Sequence, residues 1–438
     1  MFDFTLIKSL GVINILIFII VMLFVKKNNN ESFIKLILLT FPFMGIKIIS
    51  EFSVFDIITL IFILFFYKPK VNNIHINRLF FKMFIILFSS ITIGLLISKS
   101  KIDADNISEY ISLVNIFFFS KLIIDECIYN IDFVEKIMNY LKIMLLASFI
   151  FLLCQIFFGV QISLSIIQNP NIVSSEGIRY PSFLSDPQVY SQYLAALSFL
   201  CLIHEKFNRN KIINYTLLIS CITGIMIAGG RAGFIGVIAG FIIVLLFSKL
   251  KIKFIIFFLA LVIVTLIIQY QDYLMIFKRG TDMNDAYDFR YSIWLDAMKI
   301  FIQQPIVGIG IGNYAKYVSI HNPDQVWLRN NEYIPFDHPE SGYLKILTET
   351  GAIGFICFMI LIIYPLIKGI QQYLISKEET LLYLVASITS WIFGFYTTYS
   401  LGDTRFKILI VTIISLLIIK IRLKNENILV TNKLIQYE

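Results

Sequence analysis

Charge is scarce in this 438-residue chain: 15% of its residues are Asp, Glu, Lys or Arg, against 58% hydrophobic and a mean hydropathy of +0.81. No soluble core could bury that much apolar surface, so a soluble globular protein is excluded. Cysteine is scarce as well. Cys127, Cys154, Cys201, Cys221 and Cys357 are odd in number, form no CxxC and lie in or beside apolar runs. That excludes a disulfide framework or a zinc site and leaves them as small apolar packing residues. Repeats of 20–50 residues are absent, and the only low-complexity tract is Asn28–Asn30. The basic residues form no stripe with interleaved aromatics, so the net charge of +8 does not point to nucleic acid.

What the chain has in abundance is apolar runs long enough, or nearly so, to cross about 30 Å of hydrocarbon as a helix. They fall at 5–25, 33–49, 53–67, 79–98, 107–124, 137–158, 189–204, 212–228, 231–248, 253–270, 343–367, 381–399 and 405–421. The expected fold class is therefore an all-α polytopic membrane protein with about 12–13 transmembrane helices and one large extracytoplasmic loop. The pair 33–49 and 53–67 is short enough to be re-entrant instead. The first run lacks a small-residue cleavage site and is read as a retained span.

Lys and Arg gather after the first run (Lys26, Lys27), after the third (Lys68, Lys70, Arg78, Lys82), at Lys206–Lys211, at Lys249–Lys253 and in the tail (Lys420, Arg422, Lys424, Lys433). Threaded alternately, all these clusters share one side, which the positive-inside rule places in the cytoplasm. Residues 271–340 then face outward. That segment holds six basic and nine acidic residues, leaving it at −3 and the rest at +11.

The chain divides into an N-terminal block of helices (1–158), a central block with arginine-bearing outer segments (159–270), the polar loop (271–340) and a closing block with a cytoplasmic tail (341–438). Within the loop, Ile293, Trp294, Ala297, Met298 and Phe301 recur at helical spacing opposite Asp296 and Lys299, predicting an amphipathic helix over 290–303 along the membrane surface. Pro305 ends it, and Gly308, Gly310 and Gly312 predict a flexible stretch. A second helix is expected to start near Ser341 and run straight into the span that ends near Pro365.

Lipid-embedded helices need little chemistry, so function is sought in the water-exposed polar groups. His75 and His204 fall at cytoplasmic span ends; His321 and His338 lie in the loop. His338 directly precedes a helix start, with Asp337 and Glu340 beside it. An imidazole titrates near neutral pH and suits proton transfer, although a satisfied loop histidine is the commoner outcome. Arg179, Arg231 and Arg290 are far apart in sequence, yet the threading brings all three to the outer face. That convergence fits an anionic, phosphate-bearing substrate, interfacial anchoring being the alternative for any one of them. Gly229, Gly230 and Gly233 would let backbone approach a bulky ligand.

Weaker patterns add little. Asp103 and Asp105 spell DxD, but on the outer side, away from nucleotide sugars. The 308–312 glycines lack the Lys-Ser/Thr of a phosphate loop, and Ser341 lacks an oxyanion motif.

Four signatures occur in order: RYPSFLSDPQVYSQYLAAL at 179–197, GGRAGFIGVIAG at 229–240, RYSIWLDAMKIFIQQPIVGIGIGNY at 290–314 and HPESGYLKILTETGAIGF at 338–355. In this the chain resembles the O-antigen polymerase and O-antigen ligase superfamily of bacterial membrane glycosyltransferases. The resemblance implies a GT-C-like enzyme of the cytoplasmic (inner) membrane, active on its outward, periplasmic side. It implies no cofactor, metal or nucleotide sugar, and a glycan on undecaprenyl pyrophosphate as donor. By motif position, Arg179, Arg231 and Arg290 would bind the pyrophosphate and His338 would assist the attacking hydroxyl, with Glu340 beside it as a substrate-binding group; Pro339 and Glu340 depart from the short polar stretch that many members carry there. The acceptor would be a lipid-linked repeat unit, making the enzyme a polymerase of O-antigen, capsule or exopolysaccharide, with a chain-length regulator as a further partner. A ligase acting on lipid A-core is the alternative, and a polysaccharide flippase the alternative from another class.

Overall fold

The computed structural model describes residues 4–24, 29–49, 51–68, 78–97, 102–164, 172–174, 177–203, 211–249, 283–321, 326–329, 332–335 and 338–435. The expected span 253–270 and the residues His75, His204 and Asp337 lie outside them, as does the side chain of His321.

Fourteen α-helices occupy the described residues: α1 Phe4–Phe24, α2 Asn29–Leu39, α3 Val54–Phe65, α4 Arg78–Ile97, α5 Ala104–Tyr129, α6 Asp132–Phe158, α7 Pro187–Ser198, α8 Lys211–Ala228, α9 Arg231–Phe247, α10 Met283–Gln303, α11 Tyr314–His321, α12 Gly342–Ser376, α13 Glu379–Phe395 and α14 Thr404–Ile435. The class is the one the composition calls for, an all-α polytopic membrane protein. Three small antiparallel hairpins interrupt it: β1 Lys47–Ile49 with β2 Phe52–Ser53, β3 Val173–Ser174 with β4 Gly177–Ile178, and β5 Val326–Arg329 with β6 Glu332–Pro335.

Segments within α1, α6 and α12 are long and apolar enough to cross a bilayer, and five shorter apolar segments accompany them. The spans are thus unequal. At 11 and 12 residues, α2 and α3 each rise only about 17–18 Å, short of the hydrocarbon thickness. They meet through a 3₁₀ turn at Phe41–Phe43 and the β1–β2 hairpin.

The bundle has two chemically different ends. At one, Asn30 Nδ2 donates to the Lys68 carbonyl (3.2 Å), Lys136 pairs with Glu31 (3.2 Å), Lys249 with Glu379 (3.7 Å) and Lys420 with Glu378 (3.2 Å). The opposite end carries the starts of α5, α7, α9, α12 and α14. There Asp103 caps α5 by accepting from the Asp105 and Asn106 amides and pairs with Lys316, so this carboxylate serves as a helix cap.

Close backbone approach organises the centre. A Cβ on Gly233 would strike the Ser191 carbonyl of α7, and one on Gly236 the Ser390 carbonyl of α13. One face of α9 therefore packs flush against two neighbours, as small residues allow between membrane helices.

Helix α12 is broken rather than straight. Gly351 adopts φ 66°, ψ −175°, and beyond it the helix continues through Pro365 to Ser376. The break strands backbone groups that the 305–310 segment then satisfies. Ile309 and Gly310 donate to the Thr348 and Glu349 carbonyls (3.0 and 2.9 Å), while Ala352 and Ile353 donate to Pro305 and Ile306 (2.8 and 3.2 Å). The glycines expected to be flexible are thus an ordered strap, and Gly308 (φ 73°) has no room for a side chain against Glu349 and Gly351.

Helix α10 begins seven residues before the expected 290 and buries Ile293, Ala297 and Ile300. Met298, expected on that face, is exposed. It joins Tyr291, Leu295 and Ile302 in a stripe that, at 100° per residue, lies almost opposite the buried one.

Candidate active site

The sequence around Arg179 folds as a turn after the β3–β4 hairpin, the Arg179 amide donating to the Ile172 carbonyl (2.8 Å). Its guanidinium is 1% exposed. Nε donates to the Ala228 carbonyl (3.0 Å) and Nη2 to the Gly229 carbonyl (3.3 Å). Arg179 thus places a cation on the carboxyl end of α8, where the helix dipole favours one. Two residues later the chain has reversed through Gly229 (φ 62°) and Gly230, and Arg231 begins α9. Gly230 and Gly233, expected to admit a ligand, instead admit Ser191 of α7, whose Oγ accepts from the Gly233 amide (3.3 Å). Arg231 is half-buried at this helix start.

Arg290, Glu340 and His338 come together. Arg290 Nη2 lies 3.5 Å from Glu340 Oε2, and His338 Nε2 lies 3.7 Å from Glu340 Oε1, so one carboxylate faces a guanidinium with one oxygen and an imidazole with the other. All three are accessible: the Arg290 side chain is 34% exposed, His338 24% and Glu340 13%. Glu340 holds a left-handed φ of 50°, and Ser341, in extended backbone, directly precedes α12. A non-glycine residue in that region is costly and recurs at functional sites.

The last turn of α13 and the segment after it, which sequence reasoning missed, join these pieces. Gly394 packs against the Ala232 carbonyl beside Arg231, and Gln192 Nε2 donates to the Gly394 and Thr398 carbonyls (3.0 and 3.2 Å). The Tyr396 ring meets Trp294 edge-on at 5.6 Å. The Tyr399 ring lies 6.1 Å from His338, with Lys345 Nζ 4.6 Å over its face. Lys345 also approaches Glu349 (3.8 Å), whose carboxylate accepts from the Gly312 and Tyr314 amides. Nearby, Lys407 pairs with Glu109 (2.8 Å). The signal that could have found Lys345 and Lys407 was their position: each is a charge in the first turn of a helix that goes on into a long apolar run.

A half-buried arginine and histidine sharing a carboxylate, tied through Gly394, Tyr396 and Tyr399 to a helix start headed by a second arginine, can hold a polyanion and move a proton beside it. Residues 216–359 match the family described as O-antigen ligase, a stretch that includes Arg231, Arg290, His338 and Glu340 but neither Arg179 nor the segment after α13. A comparison with curated proteins gives no match. The match spans three of the four signatures, those at 229–240, 290–314 and 338–355, and agrees with the all-α membrane fold, so over residues 216–359 the chain is similar to the O-antigen ligase family.

Proposed function

We propose that the chain transfers a glycan from undecaprenyl pyrophosphate to a saccharide hydroxyl at the outer face of the cytoplasmic membrane, lengthening lipid-linked repeat units. The observation that carries this reading is Glu340 facing Arg290 at 3.5 Å and His338 at 3.7 Å. Arg231 and Arg290 bind the pyrophosphate, for which the planar guanidinium fork is suited. Arg179 acts one step back, fixing the turn that presents Arg231 and adding its charge to the same end.

The bond between the anomeric carbon and the phosphate oxygen breaks, and its electron pair leaves with the lipid pyrophosphate. The acceptor oxygen bonds to that carbon, and its proton passes to the His338 imidazole, whose resulting charge the Glu340 carboxylate stabilises. Glu340 is also placed to receive an acceptor hydroxyl. Because the leaving group arrives on the donor, the protein's work is charge stabilisation, positioning and one proton acceptance. Both lipid tails stay in the bilayer while the sugars meet above it.

Transfer to lipid A-core is the second reading, favoured by the description of the matched family. The test is purified protein in liposomes given only undecaprenyl-pyrophosphate-linked repeat units, without nucleotide sugar, added divalent metal or ion gradient. A ladder of lengthened glycans is expected. Product formed only with lipid A-core present would make the enzyme a ligase, and translocation of unchanged substrate would overturn glycosyl transfer in favour of transport.

A further inference from the structure

Tyr396 is 54% exposed, although it lies in the middle of the segment that ties the site together. Gly394, two residues before it, packs beside the turn that carries Arg231, and Tyr399, three residues after it, sits against His338. Across from it stands Trp294, one helical turn beyond Arg290 on the same face of α10, edge-on to the Tyr396 ring at 5.6 Å and 62°. The Trp294 indole N–H has no acceptor among the described residues. The pair is thus joined to Arg290 through one turn of α10, to the turn of Arg231 through Gly394, and to His338 through Tyr399.

We infer that Tyr396 and Trp294 form the platform on which the donor's first saccharide ring stacks. This inference rests on the glycosyl-transfer reading and adds the subsite that reading lacks. A pyranose has an apolar C–H face and a hydroxyl rim, the pattern that an aromatic face beside a few polar groups accepts. With its pyrophosphate held by Arg231 and Arg290, the sugar has to lie within one residue's reach of those guanidinium groups and of His338, and Tyr396 offers an exposed ring at that place. The contact with Trp294 fixes the orientation of the Tyr396 ring, so the face is set before the sugar arrives. Stacking on a fixed ring orients the anomeric carbon without drawing on the groups that do the chemistry.

The test uses the full chain in lipid nanodiscs and two probes: undecaprenyl pyrophosphate carrying the glycan extracted from the producing cells, and undecaprenyl pyrophosphate alone. Tyr396→Ala is expected to weaken binding of the glycan-bearing lipid by about five- to tenfold, the range of one aromatic contact, and to leave binding of the bare lipid unchanged. Tyr396→Phe keeps the ring and is expected to bind both as wild type does. Because Tyr396 is exposed, its truncation spares the core; Trp294→Phe provides a second variant that retains an edge contact and should lose less than Trp294→Ala. An equal loss for both lipids would make the pair a membrane-interface anchor and overturn the inference, as would wild-type binding of both by Tyr396→Ala. Failure of the wild type to bind either lipid would instead overturn the glycosyl-transfer reading beneath it.

Discussion

Arg405 is locked to Asp403, two residues earlier in the chain, by two charge-assisted hydrogen bonds: Nε to Oδ1 at 2.9 Å and Nη2 to Oδ2 at 2.7 Å, with both side chains almost wholly buried. Ser185 donates to the same carboxylate from its amide and hydroxyl (3.3 and 3.1 Å), and Arg405 Nη1 reaches the Phe183 and Pro42 carbonyls. The pair therefore pins together the segment before α7, the 3₁₀ turn at Pro42 between α2 and α3, and the start of α14.

Breaking that pair from one side should be costly, because it strands a buried charge. Arg405→Met is expected to lower stability by about 3–5 kcal/mol, and the double variant Asp403→Asn/Arg405→Met by less. Burial by itself would raise the Asp403 pKa, but the field of Arg405 and the hydrogen bonds outweigh it and hold the carboxyl below its ordinary 3.8. A lowered folded-state value means the contribution is complete above the unfolded pKa and disappears as pH falls through the folded one. Thermal unfolding in detergent should accordingly show this contribution intact at neutral pH and decaying below about pH 4, a decay missing from the double variant.

Arg179 and Arg231 should separate in assay, although the sequence groups them. Arg179 spends Nε and Nη2 on two buried carbonyls, and a lysine cannot serve both, so Arg179→Lys is expected to reduce the folded yield and the melting temperature. Arg231→Lys should fold normally and lose most activity, since a point charge replaces bidentate contacts worth roughly 1.5–3 kcal/mol each. Full activity in Arg231→Lys would remove it from the pyrophosphate site.

Much of the fold was legible because it depends on composition and period. Among the described residues the apolar runs lie largely in helices, and Cys127, Cys201, Cys221 and Cys357 are buried and free, with Cys154 free and partly buried. What was hidden depends on long-range backbone pairing. Glycine spacing in 308–312 looks the same in a loose turn and in a strap; only the distant break at Gly351, with its stranded carbonyls, makes it a strap. Gly230 and Gly233 likewise read as room for a ligand until Ser191 is seen to fill that room. In the site, Arg290, His338 and Glu340 were visible as exposed chemistry in a polar loop. Tyr396, Tyr399 and Lys345 were not, because a tyrosine or lysine at the end of an apolar run is also what an ordinary span carries at the membrane interface.

Orientation is open to a direct check. In a protein whose Cys154 is replaced by serine, a cysteine at the exposed Lys299 of α10 should react with an impermeant maleimide on intact cells, and one at the exposed Lys377, between α12 and α13, should react only after permeabilisation. The reverse pattern would put the candidate site in the cytoplasm and sink the proposed reaction.

The central claim is that His338, beside a carboxylate shared with Arg290, accepts the acceptor's proton. The most direct measurement is the turnover of His338→Ala in liposomes as a function of pH, beside wild type and a His321→Ala control from the same loop. A positioned general base contributes about 10²–10⁴-fold, so the account predicts a loss in that range, near wild-type turnover for His321→Ala, and unimpaired donor binding because the arginines hold the pyrophosphate. It also predicts a wild-type rate that falls as the imidazole protonates, a step missing from the residual activity. Retention of more than about a tenth of the rate, a barrier change of only about 1.4 kcal/mol, would contradict the account and leave His338 as a residue that merely shapes the start of α12.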